Sequence, residues 1–412
     1  MIYEKKEERF MDAQNDFFST LKVLFFGKKT GKGLKQFNQQ GAVDIIFLVL
    51  VMYMVVMGTI MMFSAGYVKA ENDFGDPYYF LKRQLLYLAI GIPGMLLTSK
   101  IKTDFLKRYS LTIFTVSLIF LVVVLFYHTD VQSAGGDQYK RWIPIGPITF
   151  QPSDLAKFAL VVFLATLMDN NRKSIENNWK ALFPLVFVVA VVAALIIAEN
   201  HFSATFLVFA IGVAMMYLGG GKQWVFVLGL SVAVLGIIFL VVNMDIFPDY
   251  VQARLKGWLD RDFDPLGHRW QTNQSLYAIG SGGLFGVGLG NSKQKHLYLP
   301  EPQNDFVFSV ICEELGYIRT VLFVIIPFAL LILRGFQVAM KLKNHYASLV
   351  VMGIMVQVGL QAFFNIGVVT GMLPNTGISL PFFSFGGTAL ILLLGEMGFV
   401  MSASRQLNSI EK

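Results

Sequence analysis

The feature that most constrains this chain is a series of apolar runs, each about 20 residues long, that recur between residues 43 and 403. A helix of about 20 apolar residues is long enough to cross the hydrocarbon core of a bilayer. Of the 412 residues, 55% are hydrophobic and 15% are charged, whereas an average soluble protein has about 25% charged residues. The sequence therefore predicts an integral membrane protein.

The apolar runs predict an all-α, polytopic fold with ten transmembrane helices. The predicted spans are 43–65, 83–99, 109–128, 153–169, 180–198, 202–219, 223–244, 306–334, 346–371 and 381–403. Residues 1–42 form a polar N-terminal extension, and residues 404–412 form a short tail. No cleavable signal peptide is expected, because the extension lacks a short apolar core followed by small residues.

Lysine and arginine residues predict which side of the membrane each loop faces. They are concentrated in the extension and in the loops that follow the second, fourth and eighth spans. Basic loops stay in the cytoplasm, so both termini are predicted to be cytoplasmic. Loops 129–152, 245–305 and 372–380 are then predicted to lie outside, and 245–305 is the large extracytoplasmic loop between spans seven and eight. The net charge of +7 reflects the basic loops and does not indicate a nucleic-acid partner.

The sequence also excludes several kinds of site. The single cysteine, Cys312, can form no intrachain disulfide, and the five histidines are too scattered to suggest zinc. The sequence contains no Walker loop and no nucleophile–His–Asp spacing. The glycine-rich segment 279–290 does not have the spacing of a dinucleotide-binding loop. Its glycines instead predict a re-entrant or surface-hugging segment whose backbone closely approaches another chain or a ligand.

Asp305 is the main candidate for a functional residue. It lies where a polar segment interrupted by prolines becomes a long apolar run. A carboxylate beside apolar surface is partly desolvated, which raises its pKa toward the range of a general base. The alternative is that Asn304 or Asp305 only caps the following helix by accepting hydrogen bonds from its first amides.

A second group of charged residues lies around the start of the fourth span. Asp154 and Lys157 are three residues apart, so they share one helix face and can form an ion pair. Arg141 carries a planar guanidinium that suits phosphate, with ordinary headgroup contact as the alternative. Trp142 is expected to be an anchor at the membrane interface.

Other polar residues lie in the spans or close to them. Glu313 and Glu314 are in the eighth span, and intramembrane carboxylates face the bundle interior or a wet cavity. A structural ion pair between two spans is the alternative role for these two residues. Glu199 and His201 are expected to be structural, and Glu396 is expected to need a partner that the sequence does not identify.

These residues predict an outward-facing cavity that contains both acidic and basic groups. Such a cavity fits either an enzyme that acts on a lipid-linked anionic substrate or a transporter of such a lipid. A transporter should place charges along a path through the membrane midplane. Arg141, Asp154, Lys157 and Asp305 are all predicted on the outer side, which favours external chemistry.

Four segments resemble, in the same order, the hallmark motifs of the SEDS family, which includes FtsW, RodA and SpoVE. They are Gln138–Lys157, Ile279–Ser292, Leu299–Phe308 and Leu380–Thr388. The resemblance covers about residues 43–403. The segment Asn291–Lys295 and the N-terminal extension are more similar to the FtsW branch, with a RodA-type elongation polymerase as the alternative.

The resemblance implies a peptidoglycan glycosyltransferase that polymerises lipid II with inversion, with Asp305 as the general base. It also implies a divalent cation, Mg²⁺ or Mn²⁺, as a cofactor. Two further sets of residues receive roles from the resemblance, one at the pyrophosphate of lipid II and one in support of the site. The first set is Arg141, Trp142, Asp154 and Lys157, and the second is Gln151, Glu313, Glu314 and Ser384.

The resemblance further implies a setting for this activity. The expected partners are membrane lipid, a class B penicillin-binding protein with transpeptidase activity, and regulators of the division machinery. The expected location is the bacterial cytoplasmic membrane at the division septum. A lipid II flippase or another lipid-linked transporter is the alternative function, and a non-enzymatic scaffold of the division machinery is a third.

Three positions depart from the family pattern. Asp154 replaces the usual glutamate, which shortens the side chain but keeps its charge. The segment Glu199–Ala204 replaces the usual Gln-Pro-Asp motif, so no site role is carried over to it. Arg319 stands inside the eighth span, where the family commonly has glycine. It is expected either to pair with Glu313 or Glu314 or to disturb helix packing.

Overall fold

A computed structural model of the chain consists mainly of helices. The residues that the structure describes are 41–128, 131–132, 138–139, 141–145, 148–229, 231, 252, 256–260, 263–264, 267 and 269–408. Within these ranges, helices make up nearly all of the regular secondary structure. The all-α prediction is therefore confirmed in its main feature.

The described α-helices are numbered α1 to α13 in chain order. They are α1 (Ile45–Phe74), α2 (Tyr79–Thr98), α3 (Thr103–Arg108), α4 (Ser110–Phe126), α5 (Pro152–Asn170), α6 (Arg172–Asn177), α7 (Phe183–Ala198), α8 (Phe202–Leu218), α9 (Trp270–Gly282), α10 (Val307–Thr320), α11 (Ile326–Lys341), α12 (His345–Val369) and α13 (Thr388–Asn408). A 3-10 turn, Trp179–Leu182, precedes α7, and a π-helical turn, Val321–Ile325, joins α10 to α11.

Every predicted span except the seventh falls on a described helix. Six helical segments in the described part of the chain are long and apolar enough to cross a membrane, and α4 and α8 are shorter apolar helices. Helix α5 covers the fourth predicted span. Residues 223–229 are helical, but most of the seventh predicted span lies outside the described residues. The chain is a multi-pass membrane protein, and the number of ten crossings remains a prediction.

Two contacts join residues that the sequence predicts near the same side of the membrane. At the predicted outer end, the hydroxyl of Thr388 donates to the carbonyl of Thr149 at 3.2 Å. At the opposite end, Nη2 of Arg334 lies 2.7 Å from Oδ2 of Asp44. The two contacts agree with the predicted sides of these segments, and the topology of the spans remains a prediction.

Helices α5 and α12 pack together in the interior of the bundle, and α12 also packs against α8 and α11. Gly353 of α12 permits this close approach, because a Cβ there would collide with Met215 of α8 and Val161 of α5. Small residues allow helix backbones to come together in membranes. The first turns of α5, which carry Asp154 and Lys157, are therefore held by an interior helix.

The predicted outer loop 129–152 contains two short antiparallel β-ribbons, which the all-α prediction did not include. Their strands are β1 (Val131–Gln132) paired with β2 (Gln138–Tyr139), and β3 (Ile143–Ile145) paired with β4 (Ile148–Phe150). The second ribbon leads into α5, whose N-cap is Gln151 and whose first residue is Pro152. Proline suits the first helical position because its missing amide would have no partner there.

The eighth predicted span is not one continuous helix. Gly316, inside α10, has φ 74° and ψ 174°, so the helical hydrogen-bond ladder is broken there. The released carbonyls of Glu313 and Glu314 accept hydrogen bonds from the amides of Val287 and Gly288, each at 3.0 Å. Unpaired backbone groups are costly inside a bilayer, so a broken helix is tolerated only where other protein groups satisfy them.

The glycine-rich segment also provides hydrogen-bond acceptors for the backbone amides that follow the break. The amide of Tyr317 donates to the carbonyl of Gly283 at 2.9 Å, and the amide of Ile318 donates to that of Leu284 at 3.1 Å. The segment therefore pairs with a helix backbone almost as a strand would. The prediction that its glycines allow a close backbone approach is confirmed.

We expect Gly282→Ala to destabilise the protein by about 1–3 kcal/mol, because a Cβ there would collide with the carbonyl oxygen of Cys312. Gly280→Ala is the matched control in the same helix. No atom outside that helix lies within 4 Å of a Cβ at Gly280, so alanine should stabilise the helix by up to about 1 kcal/mol. Unfolding in mixed detergent micelles measures both variants, and equal stability would contradict the close packing of this segment.

Candidate active site

Asp305 lies in the segment Leu299–Asp305, the Asp305 loop, which leads into α10. The N-cap of α10 is Phe306, which makes no side-chain capping bond. The side-chain oxygen of Asn304 has no hydrogen-bond partner among the described residues, and no described group donates to the Asp305 carboxylate. The alternative of a simple helix cap is therefore wrong. The half-buried carboxylate of Asp305 is left available to a ligand.

Glu301 holds the Asp305 loop together. Its Oε1 accepts a hydrogen bond from Nζ of Lys69, on α1, at 2.5 Å. Its Oε2 accepts from Asn304 at 2.7 Å and from Gln303 at 3.0 Å. Glu301 has φ 48°, a left-handed conformation that is uncommon for residues other than glycine. This one carboxylate thus ties α1 to the residue that precedes Asp305.

Side-chain donors from two other elements fix the backbone around Asp305. Asn365 of α12 donates through Nδ2 to the carbonyl of Asp305 at 2.8 Å and to that of Ile378 at 2.6 Å. The hydroxyl of Ser384 donates to the carbonyl of Asn304 at 2.7 Å. Ser384, a predicted supporting residue, therefore lies directly against the Asp305 loop. These bonds set the position of Asp305 without engaging its carboxylate.

The surroundings of Asp305 make its carboxylate more basic. Burial, together with the negative charge of Glu301, raises its pKa to about 6 against the positive charge of Arg141. The carboxylate lies against a residue without a side chain, since a Cβ at Gly377 would be 2.9 Å from Oδ2. A carboxylate with this pKa is ionised at neutral pH and accepts a proton more readily than an ordinary aspartate.

Asp154 and Lys157 form the predicted ion pair on the first turns of α5, with Oδ1 and Nζ 2.8 Å apart. Both residues line a cavity of about 460 Å³, part of it open solvent, together with Ser384 and Glu396 of α13. Because Ser384 also binds the Asp305 loop, this cavity borders that loop. The structure thus brings the charged residues of α5 and the Asp305 loop to one region.

Arg141 reaches the same region from the segment before β3. Its Nη2 donates to the carbonyl of Asn200, in the turn between α7 and α8, at 2.6 Å. Its positive charge also acts on the carboxyl groups of Asp305 and Glu199. These relations favour a place in the site over the alternative of headgroup contact.

Two other predicted site residues flank these charged groups. Trp142 is half-buried in the segment between β2 and β3. Gln151, the N-cap of α5, donates through Nε2 to the hydroxyl of Ser153 at 3.1 Å. The role of Trp142 in substrate binding and the supporting role of Gln151 remain predictions.

Glu314 and Lys295 form an ion pair in which both side chains are fully buried, with Oε1 and Nζ 2.8 Å apart. The hydroxyl of Ser64, on α1, donates to Glu314 at 2.6 Å. Glu313 accepts a hydrogen bond from the hydroxyl of Ser292 at 2.5 Å. Glu314 therefore forms an ion pair, but with the predicted outer loop and not with a second span. The supporting role of the two glutamates stays a prediction. Their network joins α1, α10 and the segment that precedes the Asp305 loop.

Arg319 does not pair with Glu313 or Glu314, so that expectation was wrong. Glu314 forms its ion pair with Lys295 instead. The break in the helix at Gly316 separates Arg319 from both glutamates. The side chain of Arg319 is exposed, and within the described part of the chain it has no hydrogen-bond or ion-pair partner. A disturbance of helix packing by Arg319 stays a prediction.

The residues that sequence reasoning missed have partners far away in the chain. Lys69 and Glu301 are 232 positions apart, and Gln357 donates to both oxygens of Glu396 at 3.0 Å from 39 positions away. No local spacing signals such pairs. Glu301 alone had a usable signal, because it lies within the same polar segment as Asp305.

Comparisons with known proteins agree with this arrangement. The family model described as "Cell cycle protein", for FtsW, RodA and SpoVE, matches residues 44–409. Stage V sporulation protein E of Bacillus subtilis (strain 168) is 34% identical over 362 residues, which are 88% of this chain and 97% of that protein. A probable peptidoglycan glycosyltransferase FtsW of Geobacter sp. (strain M18) is 35% identical over 365 residues, again 88% of this chain and 97% of that protein.

Solved structures share the fold. The crystal structure of the rod shape determining protein RodA of Thermus thermophilus gives a TM-score of 0.63 at 25% identity, over 88% of this chain and 97% of that one. A chain from a peptidoglycan synthase complex, in a structure that concerns the coordination of polymerization and crosslinking, gives a TM-score of 0.72 at 24% identity. That match covers 88% of this chain and 98% of the other, and it shows the fold.

We expect Lys295→Met to lower the free energy of unfolding by about 3–5 kcal/mol, because it leaves the buried Glu314 without its partner. Combining it with Glu314→Leu should recover most of the loss, since a buried ion pair and a well-packed apolar pair have similar stability. Lys293→Met, at an exposed neighbour, is the control and should change stability by less than about 0.5 kcal/mol.

Unfolding in mixed detergent micelles compares these three variants. The result that would contradict a structural ion pair is a Lys295→Met protein as stable as the double variant.

Proposed function

Because the chain belongs to the family of FtsW, RodA and SpoVE, we propose that it is a peptidoglycan glycosyltransferase that polymerises lipid II during cell division. The observation that supports this most is the half-buried carboxylate of Asp305, which no described group engages and whose pKa is raised to about 6. The cavity with the Asp154–Lys157 pair borders the same loop. Glycosyl transfer from a pyrophosphate donor requires a base for the attacking hydroxyl and a cation for the leaving pyrophosphate, and this site offers both.

In this proposal, Asp305 accepts the proton of the attacking sugar hydroxyl on the acceptor lipid II. The oxygen forms a bond to the anomeric carbon of the donor strand while the bond from that carbon to the pyrophosphate breaks. Undecaprenyl pyrophosphate leaves with the bonding electrons, and the configuration at the anomeric carbon is inverted. One positioned base is sufficient, because no covalent enzyme intermediate forms.

The leaving pyrophosphate gathers negative charge, which cations at the site stabilise. Arg141 offers a planar fork of donors that matches phosphate oxygens, and Lys157 offers a compact charge. Asp154 holds the Lys157 ammonium at 2.8 Å, so that charge is in place before substrate binds. Charges fixed in advance stabilise a transition state without the cost of reorganisation. Trp142 would contribute apolar contact beside Arg141.

The divalent cation that the family implies would enter the site bound to the substrate. Among the described residues, no group of three or more His, Cys, Asp and Glu side chains is arranged to hold a metal ion. Those residues therefore do not fit a resident metal centre. Mg²⁺ commonly binds through substrate phosphates and keeps several waters, so we assign Mg²⁺ or Mn²⁺ to the pyrophosphate.

The multi-pass fold supports a location in the bacterial cytoplasmic membrane, which we propose as the site of the reaction. We place the active site on its outer face and the protein at the division septum, with the lipid tails of the substrates in grooves between spans. The partner in this proposal is a class B penicillin-binding protein, whose transpeptidase crosslinks the new strands, and division regulators act on the pair. The FtsW relative supports the division role over a RodA-type role in elongation.

Asp305→Asn should lower glycan polymerisation by the purified protein and its partner at least about 100-fold, because it removes the general base but keeps the side-chain shape. Thermal stability should not fall. The pKa of Asp305 is raised in the folded protein, so its ionised form costs stability at neutral pH, and asparagine removes that cost. Asp76→Asn, at a surface ion pair with Lys82 near the end of α1, is the control and should keep full activity.

Normal polymerisation by Asp305→Asn would show that the base assignment is wrong. A scaffold needs no Asp305 and would retain its function in that variant, whereas a lipid II flippase would translocate lipid II without polymerising it. Measuring lipid II translocation in vesicles alongside polymerisation therefore separates an enzyme from these alternatives.

A further inference from the structure

The turn between α7 and α8 buries a carboxyl group that has no partner. Glu199 has no exposed surface, and neither of its carboxyl oxygens has a hydrogen-bond partner among the described residues. An ionised carboxylate without hydrogen bonds is costly in such a position, so the group retains its proton. Burial raises the pKa of Glu199 to about 8, against the positive charge of Arg141 and with the negative charge of Asp154.

The cationic part of the active site meets this turn directly. Arg141 donates to the carbonyl of Asn200, the residue after Glu199, at 2.6 Å. Asn200 has φ 57°, the left-handed conformation that asparagine tolerates better than most residues. If Glu199 were ionised, it would be the stronger acceptor for a nearby guanidinium. In the structure, Arg141 instead bonds the neutral carbonyl beside it.

The other titratable and charged groups that act on the turn come from α5 and from the start of α8. Asp154 and Lys157 form their ion pair on α5. His201 is buried at the N-cap of α8, and its Nδ1 has no partner in the described part of the chain. Burial, with the positive charges of Arg141 and Lys157, holds the pKa of His201 well below its usual value, so this imidazole is neutral.

The loss of one proton from Glu199 lowers the summed charge of Arg141, Lys157, Asp154, His201 and Glu199 by one unit. Arg141 and Lys157 are positive, Asp154 is negative and His201 is neutral. While Glu199 holds its proton, these five residues have one net positive charge for an anionic ligand. Once Glu199 loses that proton, the net charge is zero and Arg141 gains a buried carboxylate as a competing partner.

We infer that Glu199 is a positioning residue whose proton keeps Arg141 and Lys157 available to the pyrophosphate of the substrate. Glu199 acts through Arg141 and does not touch the ligand, since it has no exposed surface. The inference rests on the proposed function, because it assigns the two cations to the pyrophosphate. It adds that lipid II binding weakens in mildly alkaline solution, where Glu199 ionises, while the chemical step is unaffected.

The test compares the parent protein with Glu199→Gln, which keeps the shape of the side chain but cannot ionise. In the parent, the KM for lipid II should rise about tenfold for each pH unit above the pKa of Glu199, about 8, with kcat unchanged. In Glu199→Gln, the KM should stay constant over the same range. Glu71→Gln, at an exposed position near the end of α1, is the control and should follow the parent. A parent KM that does not change, or a Glu199→Gln KM that rises like the parent's, overturns the inference.

Infrared spectroscopy provides a readout that needs no activity. The difference between the spectra of the parent and Glu199→Gln should contain the carbonyl band of a protonated buried carboxyl, and this difference band should disappear in mildly alkaline solution. If Glu199→Gln does not fold, Glu199→Asp must shift the band. A spectrum in which the Glu199 carboxyl is ionised at neutral pH overturns the inference even when polymerisation is normal. A parent protein that does not polymerise lipid II with its partner overturns the proposed function while the band persists, so the two failures are distinguishable.

Discussion

The break in α10 at Gly316 is the constraint on which the rest of the site depends, because backbone groups released inside a bilayer must find partners within the protein. The glycine-rich segment supplies those partners, and its glycines allow the two backbones to meet. When this segment docks, Lys295 forms a buried ion pair with Glu314. The pair fixes the segment that leads into the Asp305 loop. A helix that looks like a simple span in sequence is thereby half of a composite structure.

The Asp305 loop combines a fixed backbone with an unengaged carboxylate. Glu301, Asn365 and Ser384 bind its carbonyl and side-chain groups from three directions, and none of them donates to the carboxylate of Asp305. A partly buried carboxylate that accepts no hydrogen bond destabilises the folded protein when it is ionised. The surrounding bonds offset that cost and keep the carboxylate basic. The same principle applies at Glu199, where burial without partners retains a proton.

The sequence predicts those features that depend on neighbours in the chain. The apolar runs place nearly all the described long helices, and the spacing of Asp154 and Lys157 predicts their ion pair correctly. The sequence does not predict three other pairs, because their partners meet only after the helices pack. These pairs are Lys295 with Glu314, Glu301 with Lys69, and Gln357 with Glu396. The expected partner of Arg319 was wrong for the same reason: the kink at Gly316 is a property of two segments that are distant in sequence.

The pH dependence of kcat/KM tests most directly whether Asp305 is a general base adjusted by its surroundings. Burial and the charge of Glu301 raise its pKa to about 6, so the rate should fall as the pH drops through about 6 and the carboxylate becomes protonated. In Glu301→Gln, one cause of the raised pKa is absent, so this acid limb should move to lower pH while the plateau persists. An acid limb that is missing in the parent, or unmoved in Glu301→Gln, would contradict the account.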